Sequence, residues 1–153
     1  MSQIITLACL SVVGCVALLV SGLGKPAPNA GAAATALSSA AQPTRMVILW
    51  TSGDRDVAIR MAFMYAQAAQ NNKWWDRVTL VVWGPSAKLL AEDEELQSAV
   101  RKMKTAGVKV QACIACANSY GVTPKLRALG VEVKGMGKPL TDMLQSGWTL
   151  VSL

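Results

Sequence analysis

The stretch Arg45-Met46-Val47-Ile48-Leu49-Trp50-Thr51-Ser52-Gly53-Asp54 decides the fold. A short continuous apolar run is what a strand covered on both faces requires, because both sides are withdrawn from water. Thr51-Ser52-Gly53 breaks the run. Asp54 or Asp56 then caps a helix, since a carboxylate accepts hydrogen bonds from the free amides of a first turn. That helix is predicted to reach about Asn71. Val57, Met61, Met64 and Ala68 fall at helical spacing as its apolar face, with Ile59 and Phe63 on a second face.

The same rhythm recurs downstream. Val78-Thr79-Leu80-Val81-Val82-Trp83 is a second strand, turned by Gly84-Pro85-Ser86 into a short helix, Ala87-Lys88-Leu89-Leu90. A polar-faced helix over 94–106 points Leu96, Val100 and Met103 inward, and Gly107 suits its C-terminal cap. Val108-Lys109-Val110-Gln111-Ala112 is the third strand and delivers Cys113. A helix over 114–120 ends at Gly121, and Thr123-Pro124 starts another with proline at its tolerated first position. Val131-Glu132-Val133, a helix over 139–145 and a last strand over 148–152 complete the chain. Strand and helix in alternation imply right-handed crossovers and a mainly parallel sheet with helices on both faces. In such sheets sites form outside the carboxyl ends of the strands. Three loops meet that description: one with Ser52 and Gly53, one with Gly84 and Ser86, and one with Cys113. The Gly135-Met136-Gly137 loop is placed to join them.

The cysteines and histidines narrow the chemistry. The 153 residues include four cysteines and no histidine. A Ser-His-Asp or Cys-His site within one chain is therefore excluded, and so is any His-ligated metal. Cys9 and Cys15 lie in the apolar N-terminal stretch, which leaves Cys113-Ile114-Ala115-Cys116 as the thiol pair of the folded part. Two thiolates are half of a tetrahedral zinc set, so no metal is expected. No cofactor motif is present either. Gly53 and Gly84 match no phosphate-loop pattern and read first as tight turns, with ligand-loop roles for Ser52, Gly53, Gly84 and Ser86 as the sharper alternative. Trp50, Trp74, Trp75 and Trp83 read as core or interface.

Charge is uneven. The formal net charge is +6, and much of the excess lies between Arg101 and Lys138, where eight cations face only Glu132. A solvated basic surface is the plain reading, and attraction of an acidic partner the sharper one. No motif or aromatic-interleaved basic run points to nucleic acid.

Residues 1–24 form a separate problem. The stretch 4–23 has no charged side chain and is about the ~20 residues that cross a bilayer as a helix. It reads as a hydrophobic anchor helix or a signal segment. A lipobox-like Val12-Val13-Gly14-Cys15 is discounted because the apolar run continues beyond it. Residues 25–44, rich in Ala, Pro and Ser, cannot bury enough surface to offset ordering and read as a flexible linker. Residues 45–153 are the α/β domain, roughly 110 residues and enough for one core. A membrane-anchored or exported (periplasmic-side) domain is expected, with the cytoplasmic face of a membrane as the alternative, since only Lys25 flanks the segment.

The thiol pair permits two chemistries. The thiolate is the nucleophile, and backbone amides with the helix dipole at a strand-to-helix turn favour it. Cys113 could then carry a sulfane sulfur as a persulfide, or Cys113 and Cys116 could cycle between dithiol and disulfide. A third reading is a non-catalytic oligomeric binding module.

Several stretches resemble the DsrE-like family of sulfur-relay proteins: Trp83-Gly84-Pro85-Ser86-Ala87-Lys88-Leu89-Leu90, Ala112-Cys113-Ile114-Ala115-Cys116-Ala117 before Gly121, and Gly135-Met136-Gly137-Lys138-Pro139-Leu140-Thr141 with Ser146-Gly147-Trp148. The resemblance covers 45–153. It implies a three-layer α/β/α domain of flavodoxin-like layering around a five-stranded parallel sheet, assembled as trimers or hexamers. It also implies a sulfurtransferase or sulfur carrier whose cysteine, here Cys113, receives sulfur from a donor protein and passes it to an acceptor protein. Ser119-Tyr120-Gly121 stands where relay subunits often carry an arginine pair before glycine. Cys116 is not required by their pattern, which points to a less characterised branch.

Overall fold

The computed structural model describes residues 44–153. The hydrophobic segment 1–24 and all but the last residue of the linker 25–44 lie outside the described residues. Five strands build the domain: β1 (Arg45–Trp50), β2 (Arg77–Val82), β3 (Lys109–Cys113), β4 (Glu132–Lys134) and β5 (Thr149–Ser152). All pair in parallel, in the order β4-β3-β2-β1-β5. The first three crossovers step in one direction along the sheet. The fourth jumps back from one edge to the other. Right-handed connections therefore place the first set of helices on one face and the last helix on the other.

Alternate side chains of each strand point to opposite faces and divide the core accordingly. Met46, Ile48, Trp50, Val78, Leu80, Val82, Val110 and Ala112 form the larger cluster. They pack on α1 (Arg55–Val57) with its continuation, then α2 (Met64–Asn71), α3 (Pro85–Glu92), α4 (Glu94–Thr105), α5 (Ile114–Ser119) and α6 (Thr123–Ala128). Val47, Val81 and Cys113 form the smaller cluster with Met136. Leu140 and Met143 of α7 (Gly137–Gln145) and Trp148 pack against it. The three-layer α/β/α architecture with a five-stranded parallel sheet is thus the observed one, with a single helix in its thinner layer.

The first helix corrects a sequence expectation. Met61 and Met64, expected on the apolar face, are exposed, whereas Ala58, Ala62, Ala66 and Ala69 are fully buried. A row of methyl groups lets this helix lie close against the sheet, and Met61 and Met64 turn outward. Between α1 and α2 the segment Ala58–Phe63 is a π-helix, with the Met64 N–H reaching the Ile59 carbonyl five residues back. That extra residue per turn shifts the face away from a uniform helical spacing. Phe63 meets the buried Trp50 ring edge-on, with centroids 5.0 Å apart. On α4, Leu96, Val100 and Met103 are buried as the spacing predicts. Asp93 caps that helix by accepting from the Leu96 N–H at 3.0 Å.

Candidate functional site

The carboxyl ends of β1, β2 and β3 bring the predicted loops to one mouth. Ser86 is the fully buried hydroxyl that joins two of them. It accepts from the Trp83 N–H at 3.0 Å and donates to the Trp50 carbonyl at 2.7 Å. Its oxygen is therefore committed inside the protein rather than presented to a ligand. Ser52 accepts from the Asp54 N–H at 3.0 Å. The N–H groups of Thr51 and Ser52 both reach the Leu153 carbonyl, at 2.6 and 3.3 Å, and the Thr51 hydroxyl joins them at 2.8 Å. These donors sit where the chain order reverses, between β1 and β5. In many parallel sheets that crevice receives a ligand. Here the end of β5 occupies the donors.

Gly53 and Gly84 lie at the same mouth for different reasons. A Cβ on Gly53 would stand 3.1 Å from the Pro85 Cβ, so the first loop passes close over the second. Gly84 has φ +68° and ψ −138°, a conformation essentially restricted to glycine. Its N–H lies near enough to the sulfur of Cys116 to favour negative charge there. Beside them a shallow cleft of about 320 Å³ is lined by Gly53, Pro85, Lys88, Leu89, Glu92 and Tyr120.

The two thiols have different surroundings. Cys113 is the last residue of β3 and the N-cap of α5, with extended backbone (φ −71°, ψ 118°). Its side chain belongs to the thin face of the sheet, packed with Val47, Val81 and Met136, and is 5% exposed. Cys116 lies one turn further on, half-buried and in contact with both core clusters. Both are free thiols. Burial pushes the Cys116 thiol up, the Gly84 amide opposes this, and the neighbouring Cys113 sulfur pushes it up further. For Cys116, then, burial outweighs the amides that the turn was expected to supply. Its proton is retained more firmly than in a free thiol.

A signal absent from any single stretch of sequence is the neighbour across the sheet. Cys113 pairs in register with Lys134, and Gln111 with Glu132. The Lys134 ammonium bonds Glu132 at 2.6 Å, and Lys109 approaches the same carboxylate at 3.3 Å. The buried Gln111 amide donates to it at 2.7 Å. Lys134, Gln111 and Lys109 together pull the Glu132 carboxyl down to about 2. An ion-paired lysine therefore occupies the register position next to Cys113. Among the described residues no group of three or more His, Cys, Asp or Glu side chains could hold a metal ion.

The comparisons with known proteins agree with this architecture. The family model described as the DsrE/DsrF-like family matches residues 44–153. A conserved protein of unknown function from Bacteroides thetaiotaomicron is 35% identical. It superposes with a TM-score of 0.69 over 71% of this chain and 94% of its own. A protein of unknown function from Methanobacterium thermoautotrophicum shares the fold at 18% identity, with a TM-score of 0.62 over 72% of this chain and 99% of that one. No curated protein matches the chain. The chain belongs to the DsrE/DsrF-like family, which generally serves sulfur relay with relay partners.

Proposed function

We propose that this DsrE/DsrF-like chain accepts sulfane sulfur on Cys113 as a persulfide and hands it to an acceptor protein. The observation that carries the reading is the pairing of an enclosed sulfur, Cys113, with a half-buried one, Cys116, that keeps its proton. The Cys113 thiolate attacks the outer sulfur of a donor persulfide. A new S–S bond forms on Cys113, the donor S–S bond breaks, and the donor leaves as a thiolate that takes up a proton. In the reverse sense, an acceptor thiolate attacks the terminal sulfur and Cys113 departs as thiolate. No net oxidation occurs in either step.

Cys116 serves this exchange by staying protonated. Its sulfur stands close to that of Cys113, and negative charge on Cys113 favours the protonated form of Cys116. Once deprotonated, Cys116 could instead attack the inner sulfur of the persulfide. That step closes a Cys113–Cys116 disulfide and expels hydrosulfide, which is the dithiol–disulfide reading. A retained proton disfavours it.

Incubation with a polysulfide donor followed by mass spectrometry of the intact chain tests the proposal. A gain of one sulfur, ~32 Da, is expected on the native chain and on Cys116→Ser, since the thiolate is the attacking species. Cys113→Ser should gain nothing. An adduct that survives Cys113→Ser, or none on the native chain, overturns the assignment.

A further inference from the structure

The cleft beside the thiol mouth is built from the two segments that hold Cys116. Pro85, which lines it, directly follows Gly84, whose N–H lies near the Cys116 sulfur. Tyr120 also lines it, and its N–H reaches the Cys116 carbonyl at 3.2 Å. Residues four apart share one face of a helix, so the half-buried Cys116 side chain and the Tyr120 ring stand on the same side of α5 and its C-cap. Cys116 in turn stands beside the Cys113 sulfur. The cleft therefore opens next to the more accessible thiol and, through it, toward the enclosed one.

The charges of this cleft are uncommitted. Lys88 and Glu92 lie one turn apart on α3, and both are exposed. Lysine ahead of glutamate is the weaker order for a helical ion pair. Among the described residues no ion pair involves either of them. The neighbouring Asp93 and Glu95, by contrast, are both taken by Arg55. Pro85 and Leu89 add apolar surface to the lining. The volume of about 320 Å³ lies at the lower end for small-molecule sites.

This complement selects a chemical class. Cβ atoms one helical turn apart are about 5–6 Å from each other, so one small ligand can meet both charges. An inorganic anion loses at Glu92 what it gains at Lys88, whereas a zwitterion gains at both. A free α-amino acid carries its carboxylate and ammonium on one carbon, and a short side arm suits the apolar lining.

We propose that this cleft binds an α-amino-acid persulfide as the sulfur donor to Cys113, an inference that rests on the reading of Cys113 as the sulfur acceptor. Lys88 pairs with the donor carboxylate, Glu92 with its ammonium, and the sulfur arm runs past Pro85 and Tyr120 toward the thiols. The Cys113 thiolate attacks the terminal sulfur. A new S–S bond forms on Cys113, the donor S–S bond breaks, and the amino acid leaves as a thiolate that takes up a proton from water. A sulfur on a short free arm needs less room at a thiol that is 5% exposed than one carried on a folded protein.

Ligand-observed saturation-transfer NMR on the full chain tests the site with thioethers that donate no sulfur. S-methylcysteine should bind saturably. Methylthiopropanoate, which lacks the ammonium, and methylthioethylamine, which lacks the carboxylate, should each bind at least about threefold more weakly, the effect of one exposed ion pair. Lys88→Gln should weaken S-methylcysteine by a similar factor and leave methylthioethylamine unchanged. Glu92→Gln should weaken S-methylcysteine without weakening methylthiopropanoate. Competition by S-methylglutathione would support the same zwitterion site with a peptide persulfide as the source, and its failure would support the free amino acid. Equal binding of the three small thioethers, no binding of S-methylcysteine, or binding indifferent to both substitutions overturns the proposal. None of these readouts involves sulfur transfer, so they stand or fall apart from adduct formation on Cys113.

Discussion

Met136→Ala should expose Cys113 selectively. Cys113 is 5% exposed, and Met136, which shares its small apolar cluster, is 1% exposed. Reagent can reach Cys113 only when the loop carrying Met136 lifts, so its labelling rate is the intrinsic rate multiplied by the open fraction. Burying a methionine side chain favours the closed loop by about 2 kcal/mol, a factor of about 30. Gly135 and Gly137 flank it with open space around their Cα positions, so the backbone itself offers little resistance. Truncation to alanine removes most of that preference, and labelling of Cys113 should accelerate about 10- to 30-fold. Cys116, already half-buried and held from the Gly84 side, should change less than about threefold on the same area argument. Peptide-resolved alkylation with an iodoacetamide isotope pair gives both rates in one sample. The truncation also costs global stability, about 2 kcal/mol or more. Global opening would speed both thiols together, so the ratio of rates is the informative quantity. Parallel acceleration of both cysteines, or no change at Cys113, would refute Met136 as its cover.

Three further substitutions probe separate parts of the structure. Glu132→Gln removes a carboxyl held at about 2, against an ordinary value of 4.5. Such a group stabilises the fold fully above about pH 5 and loses that contribution as pH falls toward 2. Because its side chain is 45% exposed, screening leaves about 1 kcal/mol rather than the full linkage value. Urea melts should therefore differ by that amount at pH 7 and converge near pH 2. Lys73→Gly should stabilise the domain by about 0.5–1 kcal/mol, the strain of its left-handed backbone (φ 53°) relieved less the added freedom of the unfolded chain. A thermal midpoint raised by a few degrees checks it. Ser86→Ala should cost about 1–2 kcal/mol, because the Trp50 carbonyl loses a buried donor. Alkylation of both thiols should stay unchanged; an unaltered urea midpoint would show that the hydroxyl does not tie the two loops.

Much of the fold could be read from local pattern. The continuous apolar runs at Met46 and Val78 became strands because both faces of a parallel sheet are covered. The position of Cys113 followed from the same run-and-turn logic. Met61 and Met64 look like core in a periodic pattern, yet the sheet takes the alanine row of that helix together with Phe63. The site was legible in its sulfurs but not in their surroundings. Lys134 is far from Cys113 along the chain and meets it only through strand register. The amide of Gly84 reaches Cys116 through a backbone conformation that no spacing rule announces. Ser52 and Ser86 stand in loops that read first as tight turns, and their hydroxyls bond within those loops.

The spacing of three between the thiols explains why two similar residues acquire different roles. Cys113 ends a strand, so its side chain obeys the two-residue alternation of the sheet and enters the thin apolar layer under Met136. Cys116 belongs to a helix, so one turn later it stands near the same axis but against the Gly84 loop. A change of period inside four residues thus separates an enclosed sulfur from a more accessible one. Enclosure suits a transferable sulfur, because a persulfide open to water and small thiols would be discharged before its acceptor arrived. Accessibility suits a group whose task is to hold a proton. Moving the second cysteine by one residue would rotate it about a hundred degrees around the helix, away from both.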